Sequence, residues 1–188
     1  MKKFAEHWFS RMIIGFWVIL FLLSRRFELI SMFGNKGSHL LESEYYRYVT
    51  SLFLHSNALH VLWNALALYF VCYYLEPQIN PWKLCIFSIS IGTLTECMIS
   101  LVYKNAFNFG GSPIVFALIG LILAMRISRI DCVEFRLGTW YGNWTLAYAV
   151  LANLPIYSSS VVSSLLIHGI AFILGIVVGC IALAMKLI

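Results

Sequence analysis

The chain has 188 residues, of which 61% are hydrophobic and 11% charged, with a mean hydropathy of +0.85. A soluble domain averages about 45–50% apolar and about 25% charged residues, so the composition excludes a water-soluble globule and implies one integral membrane domain over residues 1–188. The net charge of +5 does not point to nucleic acid, because the basic residues are scattered among apolar runs and form no stripe.

Hydropathy predicts six spans. The first covers about 8–24; Lys2 and Lys3 precede it, but Ser24-Arg25-Arg26 follows instead of a small-residue cleavage site, so it reads as a retained span and not a signal peptide. A long mixed loop, about 25–56, carries Phe27, Leu29, Ile30, Met32, Phe33 and Tyr45-Tyr46, and is expected to lie partly in the membrane interface. The second span, about 57–76, ends at Glu76-Pro77, with Glu76 expected to cap or tether a loop at the inner interface; the third covers about 82–103. The fourth, about 112–126, is short. Only the 13 residues Pro113 to Met125 precede Arg126, which as helix is about 20 Å against a hydrocarbon core of about 30 Å. With Arg126 at one face, Ser112 would lie roughly 10 Å below the other. The inner loop 127–143 holds Trp140 and Tyr141, and Trp144 follows at its end, a set suited to an aromatic belt. A short fifth span, about 144–157, is closed by Asn153, Pro155 and a serine run, and 153–164 is expected to be a cap on the outer side. The sixth covers about 163–186.

With both termini inside, eight Lys and Arg residues fall on the inner face and five on the outer, which favours that orientation modestly. Cys72, Cys85, Cys97, Cys132 and Cys180 show no CxxC pair or zinc-ligand spacing and read as buried apolar residues.

Three polar groups interrupt the apolar runs. His55, His60 and Asn64 open the second span, with His60 and Asn64 four apart on one helix face. Ser112 follows the turn Gly110-Gly111. Irregular backbone at membrane depth is tolerated only where protein buries it or where it lines a wet cavity. His168 stands on the sixth span, close to the face of Ala171, Gly175 and Gly179, a small-residue stripe that lets a helix approach closely. Phe116 and Gly120 share a face with Ser112. If the stripe packs against the fourth span, His168 comes near Ser112. A serine hydroxyl needs a neighbouring base to become a nucleophile, and neutral His168 could serve. The oxyanion of an attacked amide needs fixed donors; the Ser112 N–H, Asn64 and His60 could supply them. No Asp or Glu is near His168 in sequence, so a Ser–His dyad is expected and not a triad.

Each group has a plainer reading: Ser112 as a packing residue, His168 as a satisfied interior residue, His60 and Asn64 as a helix tie. His55 and His60, five apart with no carboxylate beside them, make a poor metal site. Glu96, inside the third span, reads as a tie to a neighbouring helix.

From about 46 to 180 the chain resembles the rhomboid family of intramembrane serine proteases. The residues that carry the likeness are His55, His60 and Asn64; Gly110-Gly111-Ser112 with Ile114 to Gly120; His168 with Ala171, Gly175 and Gly179; and Tyr46-Arg47 in place of a Trp-Arg pair. The resemblance implies an all-α, six-span bundle whose short central fourth helix carries the serine. It implies Ser112 as nucleophile, His168 as base, and His60, Asn64 and the Ser112 amide as oxyanion site, with no metal or cofactor. Phe116 would pack on the histidine, with His55, Gly110 and Gly111 in support. The expected partners are transmembrane protein substrates, cut near the outer face, and the lipid bilayer. The expected state is a monomer or weak oligomer in a bacterial cytoplasmic membrane. Pro113, Ala171 and Tyr46 depart from the pattern, replacing two glycines and a tryptophan. Pro113 adjoins the nucleophile, so a non-catalytic rhomboid-like protein that binds transmembrane helices is the alternative. A transporter using Glu96 and the histidines is a distant third.

Overall fold

The computed structural model describes residues 8–128, 135–154 and 161–188, the side chains of 161–163 excepted. Lys2, Lys3, Arg129, Cys132, Pro155 and the 158–160 serines, and with them most of the expected outer cap, lie outside the described residues. Among the described residues the fold is helical apart from isolated bridges. Helix α1 spans Trp8–Ser24, α2 Leu29–Phe33 and α3 Arg47–Thr50, which runs into a 3-10 turn at Ser51–Phe53. Then come α4 Ala58–Leu75, α5 Pro81–Val102, α6 Ser112–Ile127, α7 Trp140–Leu151 and α8 Val161–Ala184. Three helices are long and apolar enough to cross a membrane: α4, α5 and the Ser164–Ala184 part of α8. Helices α1 and α6 are apolar but shorter. The chain is an integral membrane protein.

Helix starts follow local chemistry. Asn57 accepts from the His60 N–H at 2.9 Å and opens α4; Asn80 accepts from the Trp82 N–H at 2.9 Å and opens α5, with Pro81 in its first turn. Helix α7, at the expected fifth span, differs from expectation. It begins at Trp140, not near 144, and ends at Leu151. Thr139 accepts from the Gly142 N–H at 3.2 Å and sets the start. Trp140 and Tyr141, expected in a loop, are helical and pack on Tyr73 of α4, with ring centroids at 4.6 and 5.7 Å.

Helix α6 is apolar on every side and is enclosed accordingly: Ile114, Val115, Ala117, Leu118, Leu121 and Ala124 have no exposed surface. Its main partner is α8, and the contact is nearly backbone to backbone. A Cβ on Gly120 would overlap the Phe172 carbonyl, and one on Gly175 would overlap the carbonyl of Ala117. A Cβ on Gly179 would come 2.8 Å from that of Ala124. The small-residue stripe of α8 thus packs on α6, and Ala171 at its top is fully buried.

Glu76 tethers the start of α1. Its carboxylate accepts from Ser10 N at 2.8 Å and Ser10 Oγ at 3.2 Å. Ser10 is in the first turn of α1, where N–H groups lack intrahelical acceptors and an acid is favoured.

Arg47 organises the loop after α1. Its guanidinium donates to the carbonyls of Ser31 and Gly34 at 3.0 Å each, and its Nε to Glu44 at 2.6 Å. Lys36 also reaches Glu44, at 3.1 Å. The Arg47 guanidinium, then Lys36 and Tyr46, hold the Glu44 carboxyl at about 2, below its ordinary 4.5. Such a carboxylate stabilises the loop fully above 4.5, and its contribution falls away as pH drops through that value toward 2. Glu44 is partly exposed, so the effect is small. Amide hydrogen exchange in residues 31–50 is expected to speed up between pH 4.5 and 2.5, beyond the intrinsic pH effect, and Glu44→Gln to flatten that change.

Candidate active site

The turn before α6 is shaped by its neighbours. Gly110 has φ +139, a conformation that suits glycine, and a Cβ there would stand 3.0 Å from His60 Cε1. Its N–H donates to the Ser51 carbonyl at 2.9 Å. The Gly111 N–H meets His55 Nε2 at 3.4 Å, and a Cβ on Gly111 would overlap the indole of Trp17. Trp17 is fully buried, donates from Nε1 to the Leu52 carbonyl at 3.1 Å and packs edge-on to His55 at 5.2 Å. His55 in turn packs on His60 at 4.8 Å. Trp17, His55 and His60 thus form the wall behind the two glycines. Ser112 follows as the first residue of α6, half-buried, where the helix dipole favours negative charge.

His168 is buried on α8 and stacks face to face on Phe116, with centroids 4.2 Å apart and an interplanar angle of 10°. Its Nδ1 lies 2.8 Å from Asn153 Oδ1. The Asn153 amide nitrogen donates to the Ala149 carbonyl at 2.8 Å, which fixes the amide with its oxygen toward the histidine. Nδ1 therefore carries the proton, and Nε2 keeps its lone pair. Ser112 and His168 line the same cavity, and among the described residues no direct hydrogen bond joins them. In an unliganded site such bonds are commonly long and tighten when substrate binds.

Asn64 is oriented by Tyr148, whose hydroxyl donates to its Oδ1 at 2.7 Å. The Asn64 amide nitrogen is buried, and no partner stands among the described residues. A buried donor without an acceptor is costly, and this one belongs to a side chain that lines the cavity. The cavity is about 200 Å³ in volume and is also lined by His60, Gly110, Tyr148 and Glu96. Glu96 ties loops and not a neighbouring helix: it accepts from Asn35 at 2.8 Å and from Asn108 at 2.7 Å. These asparagines also pair through their backbones, at 3.0 and 2.8 Å, which anchors the strand-like stretch leading to Gly110.

One hollow therefore gathers a hydroxyl at a helix start, an imidazole with a free ring nitrogen and an unspent amide donor. That set can attack a carbonyl, accept the proton and hold the oxyanion. Sequence reasoning did not single out Trp17, Tyr148 or the role of Asn153. Trp17 and Tyr148 look like any aromatic in an apolar run, and Asn153 reads as a helix end.

A family model described as Rhomboid domain matches residues 42–187. No curated protein matches the chain.

Proposed function

Because the chain belongs to the rhomboid family, we propose that it is an intramembrane serine endopeptidase that cuts transmembrane segments of single-span proteins near the outer face. In this reading six helices (α1, α4, α5, α6, α7 and α8) traverse or enter the bilayer, and both termini face the cytoplasm of a bacterial host. Ser112 Oγ attacks the scissile carbonyl while His168 Nε2 takes its proton. The leaving amine then receives that proton, and water reverses the sequence on the acyl-enzyme. The Asn64 amide, His60 and the Ser112 N–H hold the oxyanion. The observation that carries the reading is the buried Asn64 donor, without a partner among the described residues, beside the cavity shared by Ser112 and His168. Pro113 is compatible with it, since in the first turn of α6 a missing N–H breaks no helix bond.

The lack of a direct Ser112–His168 bond favours, as a second reading, a rhomboid-like protein that binds transmembrane helices without cutting them. A serine-reactive fluorophosphonate separates the two. The purified protein is expected to label, and Ser112→Ala to lose the label. Equal labelling of both, or none of either, removes the protease reading.

A further inference from the structure

The far end of the bundle carries a second hollow. The Ser112 cavity meets α5 at Glu96, and Lys83 stands thirteen residues earlier, about 20 Å away along that helix. There a groove of about 290 Å³ opens between α5 and α8. On one side lie Ile86, Phe87, Ser90 and Ile91, which share a face of α5 with Lys83. Val178 of α8 forms the other side. The residues after α8 close the groove. Lys186 takes φ +56, and the Leu187 N–H donates to the Ala182 carbonyl at 2.8 Å, the bond of a left-handed turn that ends a helix. That turn brings Leu187 and Ile188 into the groove wall.

Two cations flank this apolar slot. Lys83 is exposed in the first turn of α5, where the helix end is itself positive and gains nothing from a lysine. Lys186 is exposed beside the two residues that complete the wall; glycine would take its backbone conformation at lower cost. Among the described residues neither lysine has an acidic partner.

We propose that this groove holds an acyl chain of an anionic phospholipid whose phosphate is met by Lys83 and Lys186. The depth fits, since Lys83 to Ile91 is about 12 Å of helix, which sets the charges at headgroup level and the slot in hydrocarbon. A partner helix would fill the slot but leave both cations unanswered at its mouth, whereas a phosphate over an alkyl chain answers both. A zwitterionic lipid brings its own ammonium beside the same two cations, so the site discriminates by headgroup charge. No residue of the Ser112 cavity lines the groove, so lipid binding here is independent of proteolysis.

The test titrates the purified full chain, in mild detergent, with phosphatidylglycerol or with phosphatidylcholine of the same chains, and counts bound lipid by native mass spectrometry. At low salt phosphatidylglycerol is expected to bind about 25-fold more tightly. Lys83→Gln and Lys186→Gln should each lower that preference about fivefold, and the double variant should bring it to about one. Ser90→Trp fills the slot from an exposed position and should weaken both lipids; Lys104→Gln, beyond the other end of α5, should change neither. Equal binding of the two lipids, a preference that survives the double variant, its loss in Lys104→Gln, or full phosphatidylglycerol binding by Ser90→Trp overturns the inference. So does a bound mass equal to a second copy of the chain in place of lipid.

Discussion

His168→Ala is expected to lower cleavage of a single-span substrate by at least about 10³-fold, with thermal stability in detergent nearly unchanged. The imidazole contributes one stacked face on Phe116 and one hydrogen bond to Asn153, so its loss removes little that holds helices together. It removes the one nitrogen base, among the described residues, that shares the cavity with Ser112 and has its tautomer fixed by a partner. Asn153→Ala supplies the contrast. It keeps the base but frees the ring to flip and to change tautomer, so kcat should fall by about tenfold to a hundredfold with KM little altered. Measuring both variants under the same conditions checks the assignment. Near-normal cleavage by His168→Ala would remove His168 from the reaction, and a fall in kcat for Asn153→Ala no larger than its loss of folded protein would make it a folding contact only.

Gly175→Ala is expected to be the most damaging single-methyl change in the membrane core. Alanine would ordinarily gain about 1 kcal/mol over glycine inside a helix. Here the new Cβ would overlap the carbonyl of Ala117, a backbone atom that cannot rotate away. Helices α6 and α8 must then separate, which costs about 1–3 kcal/mol as overpacking and carries His168 away from Ser112. Gly169 on the same helix is the control, because a Cβ there meets nothing within 4 Å. Thermal unfolding in detergent should show Gly175→Ala well below the parent protein and Gly169→Ala at or slightly above it. A Gly175→Ala protein as stable and active as the parent would mean that the two helices do not meet through this stripe.

Much of this arrangement is legible in the residues. Apolar runs and the Gly110-Gly111 turn placed α4, α5 and α6 within a residue or two, because helix starts are set by local chemistry. The four-residue spacing of Ala171, Gly175 and Gly179 implied a close neighbour, and α6 is that neighbour. What escaped is what depends on distance along the chain. Asn153 acts on a residue 15 positions later, and Tyr148 on one 84 positions earlier. Glu96 is held by Asn35 from 61 positions away, which no periodicity could suggest. Trp140 and Tyr141 read as interface aromatics, but Tyr73 and Phe70 of α4 pull them into a helix. The absence of a carboxylate near His168 was visible from sequence; that a neutral amide would occupy its place was not.

Trp17 extends the neighbourhood of the proposed site beyond the segment that the family model matches. The matched region begins at residue 42, whereas the indole pressed against Gly111 belongs to α1. The stretch that bears the reactive groups and the stretch that braces them are thus not coextensive. Divergence in the opening helix can tune how firmly Ser112 is aimed while every residue of the proposed site stays the same.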